Sequence, residues 1–295
     1  MSGRLRYPVA IVGGGALGLH FAARLAAVGP VAVLARSRER AQALRAGVTV
    51  GGQPFRPEAF GPDEAPPADW AVLLVKAGDT ADAARAALAT APRGVLSLQN
   101  GLVGEVLREV CGDVPADQGI TTEGAFREDA RVVPAGAGET LLPPGFEALA
   151  GLLAAAGLQA RVEADIAAAR LVKLLVNLAI NPLAAIFRVR NGELLAPPYR
   201  VRLDALVAEA WPVLRAEGLP LDVAAAHARV LAVATATGAN RASMLQDVLA
   251  GRRTEIEAIT GVFLELAKRQ GVDAPTHRAV FEQVKRVESV AGRAG

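Results

Sequence analysis

Cysteine is almost missing from these 295 residues. Cys111 stands alone, so no internal disulfide and no cysteine-based zinc site can form. Histidine is scarce too: His20, His227 and His277 lie far apart without ligand-like spacing, so no metal is expected. Each reads as a surface or partly buried residue. Aromatic residues are 4% of the chain, and the net charge is only +2, with basic residues scattered rather than bunched. That leaves little material for base-stacking platforms or a phosphate-tracking groove, which excludes nucleic acid as the expected partner. No uninterrupted apolar run is long enough to span a bilayer. Arg4 and Arg6 ahead of PVAIVGGGALGLHFAA imitate a secretion signal, but glycines break the helix that a signal core needs. A cytoplasmic protein without a membrane partner is expected.

Hydrophobic residues, by contrast, make up 52% of the chain, enough for a sizeable core. The length suits two domains. The expected fold class is α/β, a Rossmann-type dinucleotide-binding domain over 1–164 followed by an all-helical domain over 165–295.

The first domain announces itself at the N-terminus. The apolar run Pro8–Val12 feeds into Gly13-Gly14-Gly15-Ala16-Leu17-Gly18, a G-x-G-x-x-G motif. Helical spacing follows over Ala16–Val28, then a second apolar run over Val31–Ala35. Strand, glycine turn, helix and strand together form a dinucleotide site. The glycines allow a tight turn, close approach to the pyrophosphate, and tight helix–strand packing, and the helix N-terminus supplies N–H groups to the phosphates. NAD-preferring sites close the second strand with an acid on the ribose 2′-hydroxyl. Here Arg36 stands eighteen residues past Gly18, with Arg38 beside it and no acid before Glu39. A guanidinium there suits a 2′-phosphate, so NADPH/NADP is the expected cofactor. A solvated arginine opening the helix Ser37–Ala46 is the plainer alternative.

Two further strands, Trp70–Val75 and Gly94–Leu98, end at Lys76 and at Gln99-Asn100-Gly101. Ligands lie beyond the carboxyl ends of such strands, so Lys76 and Asn100 should face the cofactor, although Asn-Gly is also a favoured turn pair. A helix is expected over Thr80–Ala91. The stretches Thr121–Ala125 and Arg131–Leu142 read as strands extending the same sheet, and a helix to about Gly157 ends the domain.

The second half turns on RLVKLLVNLAINPLAAIFRVRNGELL, residues 170–195. Its first part is apolar nearly all round, the mark of a buried helix. Lys173, Asn177 and Asn181 interrupt it at intervals of four, on one stripe. A lone lysine ordinarily snorkels to water along its stem. Two asparagines on the same stripe have no such escape and argue for a bound polar ligand. Pro182 should kink or end the helix. Further helices are expected over Arg200–Glu217 (with a kink at Pro212), Leu221–Ala236, Thr254–Gln270 and Ala274–Val290. Thr254 suits an N-cap, and Glu255 would lie in the first turn, where acids are favoured by the dipole.

Read end to end, the chain resembles the ketopantoate reductase family. The resemblance rests on GGGALG at 13–18, KAGDT at 76–80, LQNG at 98–101, TTEGA at 121–125, KLLVNLAINPLAAI at 173–186, NGELL at 191–195 and SMLQDVLAGRRTEIEAITG at 243–261. It implies NADPH-dependent reduction of 2-dehydropantoate to (R)-pantoate, a step of pantothenate and coenzyme A synthesis. Position by position, it implies Lys173 as the catalytic lysine and Glu255 as the acid organising substrate and cofactor. Asn177, Asn181, Asn191 and Ser243 would bind substrate, and Lys76, Asn100 and Ala125 would lie near the cofactor. At Glu123 and Gly124 the chain departs from the family's better-known members. The implied chemistry is hydride attack on a ketone, with Lys173 stabilising the growing oxygen charge and delivering the proton, in a cleft between domains. Related dehydrogenases of 2-oxo acids or 3-hydroxyacids share this architecture. A non-catalytic NADP sensor would have no need of the Lys–Asn–Asn stripe. Monomer and homodimer are both open.

Overall fold

The computed structural model describes residues 5–128, 131–136 and 138–291. Arg4, Ala137 in the expected 131–142 strand region, and the extreme ends of both expected domains lie outside the described residues. The chain separates into two compact units, Met1–Gln99 with Val103–Ile166, and Asn100–Leu102 with Ala167–Gly295.

The first unit begins with β1 (Tyr7–Val12), α1 (Ala16–Ala26), β2 (Val31–Leu34) and α2 (Arg38–Arg45). Three short strands follow, β3 (Val48–Val50), β4 (Gln53–Phe55) and β5 (Glu58–Phe60). Then come β6 (Ala68–Leu73), α3 (Thr80–Leu88), β7 (Gly94–Ser97), α4 (Gly104–Cys111) and β8 (Ala116–Gln118). The unit closes with β9 (Ile120–Thr121), β10 (Ala125–Glu128), β11 (Arg131–Pro134), β12 (Glu139–Leu142), α5 (Glu147–Ala155) and β13 (Gln159–Val162).

Six of these strands form one sheet in the order β5-β2-β1-β6-β7-β8. Every pairing in it is parallel. The order reverses between β1 and β6, the switch point at which open α/β sheets bind ligands. Ile11, Val33, Val72 and Leu96 are wholly buried along the central strands, as expected where helices cover both faces of a parallel sheet.

The strands around residues 121–142 do not extend this sheet, contrary to the sequence expectation. Both sheet edges are already taken, by β5 and β8. Instead β10 and β11 join β3 and β4 in a four-stranded sheet, while β9, β12 and β13 make a three-stranded one. Some expected helix ends also recede: the first stops at Ala26 and the one after Lys76 at Leu88.

The second unit is helical: α6 (Ile166–Phe187), α7 (Tyr199–Ala216), α8 (Val223–Ala236), α9 (Ser243–Leu249), α10 (Val262–Arg269) and α11 (Pro275–Ala291). Helix α6 supplies its core with Leu174, Leu175, Leu178, Leu183 and Ala184. By length and composition alone α6 could cross a membrane, yet most of it is packed into this core. The helix also runs on through Pro182 to Phe187, so of the two outcomes expected at the proline, a kink or an end, the end does not occur. A proline inside a helix costs about 3 kcal/mol. Ending there would expose Leu183, Ala184 and Ala185, all nearly inaccessible, and a buried leucine alone is worth roughly 1.5–3 kcal/mol. Burial wins. Helix α7 likewise continues through Pro212.

The stretch expected as one helix from Thr254 starts differently. Glu255 sits in a bend, and a π-helical turn, Glu257–Gly261, precedes α10. Such turns occur often at functional sites.

Candidate active site

The glycine motif forms the loop between β1 and α1. Gly13 has φ +125°, and a Cβ there would fall 2.9 Å from the Leu74 carbonyl oxygen. At Gly18 a Cβ would lie only 2.0 Å from the Gly13 carbonyl oxygen, so helix and loop touch backbone to backbone. Gly15 differs: a Cβ there would meet nothing within 4 Å. No side chain caps the α1 N-terminus at Gly15. The open space over Gly15 and the uncapped first turn of Ala16, Leu17 and Gly18 fit a pyrophosphate.

Cations gather around this loop. Arg36 is exposed just beyond β2. Arg38 is exposed and donates to Asp63 at 2.9 Å. Arg40 donates to the Gly14 carbonyl oxygen at 2.9 Å, and Arg127 of β10 reaches the same oxygen at 3.4 Å. Sequence reading missed both. Arg40 follows Arg36 by four residues and was findable, whereas nothing local marks Arg127.

Lys76 is partly buried at the start of a short 3₁₀ turn, Ala77–Asp79. Its carbonyl oxygen accepts from the Gln99 side chain at 2.9 Å, and the Gln99 carbonyl accepts from Gln118 at 3.2 Å. Buried Gln99 therefore fixes the end of β7 against the Lys76 turn. Ala125 opens β10 and is partly buried. Just before it, Glu123 Oε2 lies 3.3 Å from His20 Nε2, with side chains 6% and 9% exposed. The departure at Glu123 thus has a partner on the glycine-motif helix. His20 and His277 are both buried, the latter completely, where surface or partly buried positions were expected.

In the second unit, the continuous helix keeps Lys173, Asn177 and Asn181 on one stripe; Asn181 is buried and the other two are partly so. Burial lowers the Lys173 ammonium to about pKa 8, against the opposing pull of Glu255. The Glu255 carboxylate accepts from Asn100 Nδ2 at 2.8 Å. Asn100 belongs to this unit because Gly101, at φ +80°, lies so close that a Cβ would be 2.1 Å from the Ala258 carbonyl oxygen. Thr254 is held from α11: its N–H donates to Glu288 at 2.7 Å, while its hydroxyl oxygen accepts from the Ile256 N–H at 3.2 Å. Thus Lys173, Glu255 and Asn100 come together. Asn191 is buried, its Nδ2 donating to Thr237 Oγ1 at 2.9 Å. Ser243 is exposed as the first residue of α9. An ammonium beside a carboxylate, with amides along one helix face, can polarise a carbonyl oxygen and hand it a proton.

Comparison with known proteins agrees across the chain. Residues 9–145 match the family model "Ketopantoate reductase PanE/ApbA", and residues 165–288 match "Ketopantoate reductase PanE/ApbA C terminal". The 2-dehydropantoate 2-reductase of Archaeoglobus fulgidus is 35% identical over 293 residues, covering 95% of this chain and 98% of the relative. The chain belongs to the ketopantoate reductase family. Among solved ketopantoate reductase structures, a probable 2-dehydropantoate 2-reductase from Bacillus subtilis is 30% identical with TM-score 0.78, covering 96% of this chain and 100% of that one. The complex of D-mandelate dehydrogenase with NADH has TM-score 0.87 at 23% identity, covering 97% and 100%, and so shares the fold. The two family models span the glycine loop and the Lys173 stripe respectively.

Proposed function

We propose that this chain catalyses the NADPH-dependent reduction of 2-dehydropantoate to (R)-pantoate. The observation that carries the reading is the trio in the helical unit, Lys173 set beside Glu255 and Glu255 hydrogen-bonded to Asn100. The uncapped α1 N-terminus under Gly13, Gly14, Gly15 and Gly18 fits a nicotinamide dinucleotide, and Arg36 gives the preference for its 2′-phosphate. When bound, NADPH supplies the hydride.

The chain's own residues do the rest. Lys173 is mostly protonated at neutral pH with a pKa of about 8. It meets the charge that develops on the carbonyl oxygen and gives up its proton there. Glu255 keeps the ammonium charged and in place, and Asn100 orients Glu255. Asn177, Asn181, Asn191 and Ser243 offer donors and acceptors to the carboxylate and hydroxyl of the substrate. Lys76 and Ala125 lie on the cofactor side. The proposal carries with it a step of pantothenate and coenzyme A synthesis, a cytoplasmic location, and a monomer or homodimer with no nucleic-acid or membrane partner.

The test is loss of NADPH absorbance on adding 2-dehydropantoate, with NADH as the parallel control. Lys173→Ala should lower kcat by orders of magnitude while leaving NADPH affinity nearly unchanged. No turnover with bound NADPH would reject the substrate and direct the search to other 2-oxo acids. Undiminished turnover in the variant would remove Lys173 from the chemistry.

A further inference from the structure

Asn191 is held from two sides by the turn that ends α8. Its backbone N–H donates to the Asn240 carbonyl oxygen at 3.1 Å, and the Gly192 N–H donates to Gly238 at 3.1 Å. A Cβ on Gly192 would lie 2.9 Å from Gly238 Cα, so the two backbones are in contact. Thr237 completes the cradle. Its hydroxyl donates to the Val233 carbonyl oxygen at 2.7 Å and accepts from Asn191 Nδ2 at 2.9 Å.

A hydroxyl has a single proton. With that proton committed to Val233, the Thr237 oxygen offers Asn191 only a lone pair. The amide is therefore polarised, its NH₂ toward Thr237 and its carbonyl away. Asn191 Oδ1 is buried, and it has no hydrogen-bond partner among the described residues. A buried acceptor of this kind recovers its lost hydration only from an arriving donor.

We propose that Thr237 fixes the hydrogen-bonding polarity of Asn191 and so selects substrates that bring a hydroxyl donor. This rests on the reading above, in which Asn191 contacts substrate. The carboxylate and ketone oxygens of a 2-oxo acid only accept, so its hydroxyl is the sole group that can satisfy Oδ1 once covering side chains give way. Thr237 is a positioning residue that acts through Asn191.

Two substrates separate this role from a merely structural one: 2-dehydropantoate, and 3,3-dimethyl-2-oxobutanoate, which lacks only the hydroxyl. Thr237→Val keeps the shape and removes the acceptor. It should lower kcat/KM for 2-dehydropantoate about tenfold, mainly through KM, and change the hydroxyl-free substrate by less than about twofold. Thr237→Ser should restore the wild-type ratio. Equal losses on both substrates, or no loss on either, would overturn the assignment. Should Thr237→Val fail to fold, Thr237→Ala measured beside Thr237→Ser carries the same comparison. Wild-type protein without turnover of 2-dehydropantoate refutes the proposed function and this assignment together. Wild-type turnover with parallel losses refutes Thr237 alone.

Discussion

Replacing Lys173 with Met should abolish reduction and yet make the protein more stable at neutral pH. The size of the gain follows from the position of the ammonium on α6. Burial lowers its pKa from 10.5 to about 8, against the pull of Glu255, and each unit corresponds to about 1.4 kcal/mol. The folded state therefore disfavours the charged form by about 3 kcal/mol below pH 8. Lys173 is only partly inaccessible, so solvent screening reduces the expected gain to about 2 kcal/mol. Between the two pKa values the unfolded chain holds a proton that the folded chain has released. Wild-type stability should thus rise with pH in that window, by up to about 1.4 kcal/mol per unit. Met is similar in length and carries no charge, so the variant lacks this slope. Urea unfolding of both proteins from about pH 7 to about pH 10 reads the effect as a narrowing gap. Taking the difference cancels groups common to both, including Tyr7, whose phenol is pushed up to about 12 by burial and by Glu58. A variant no more stable than wild type at pH 7, with a gap independent of pH, would falsify the view of Lys173 as a desolvated ammonium. Lys173 would then have no lowered pKa from which to deliver its proton.

Arg36→Ala should weaken NADPH binding about tenfold or more and leave NADH unchanged; equal weakening of both in a fluorescence titration would reject the 2′-phosphate role. Gly101→Ala must move a backbone now so close that the new Cβ would sit 2.1 Å from the Ala258 carbonyl oxygen. It should cost about 2 kcal/mol or more and lower kcat through the Asn100–Glu255 bond, so an unchanged melting temperature would count against the contact. Glu209 accepts from the Thr276 and His277 amides at 2.8 and 2.7 Å and from the His277 ring at 2.7 Å. Burial pushes its carboxyl up, but these bonds prevail and hold it at about 2. Its stabilising contribution is present above about pH 4.5 and is lost as pH falls toward 2. Glu209→Ala should therefore destabilise by about 3 kcal/mol at pH 7 and flatten acid unfolding in that window; an unaltered acid limb would reject the role of Glu209.

The parts that were legible in the sequence are those whose signal is local. β1, β2, β6 and β7 are apolar runs closed by glycine or polar residues, and the glycine motif between β1 and α1 has a fixed spacing. β5 and β8 read Glu-Ala-Phe and Ala-Asp-Gln, too short and polar to declare themselves. Because those edges went unseen, residues 121–142 looked like extensions of the main sheet. Pro182 left two outcomes open for a related reason: a proline penalty is visible in sequence, whereas the burial that carries the helix past it belongs to the packed core.

The site divides along the same line. A polar side chain in an apolar helix signals a need that can be read directly, which is why Lys173, Asn177 and Asn181 stood out. What meets such needs comes from far along the chain. Asn100 and Glu255 are 155 residues apart, His20 and Glu123 are 103 apart, and Asn191 and Thr237 are 46 apart. No periodicity links such pairs. The His20–Glu123 contact also changes what Glu123 means. Taken as sequence it is a departure from the family's better-known members; in the fold it is a buried carboxylate tied to the helix that carries the glycine motif. That contact joins the Thr121–Ala125 loop to α1, a link that the spacing of the two residues in the chain does not announce.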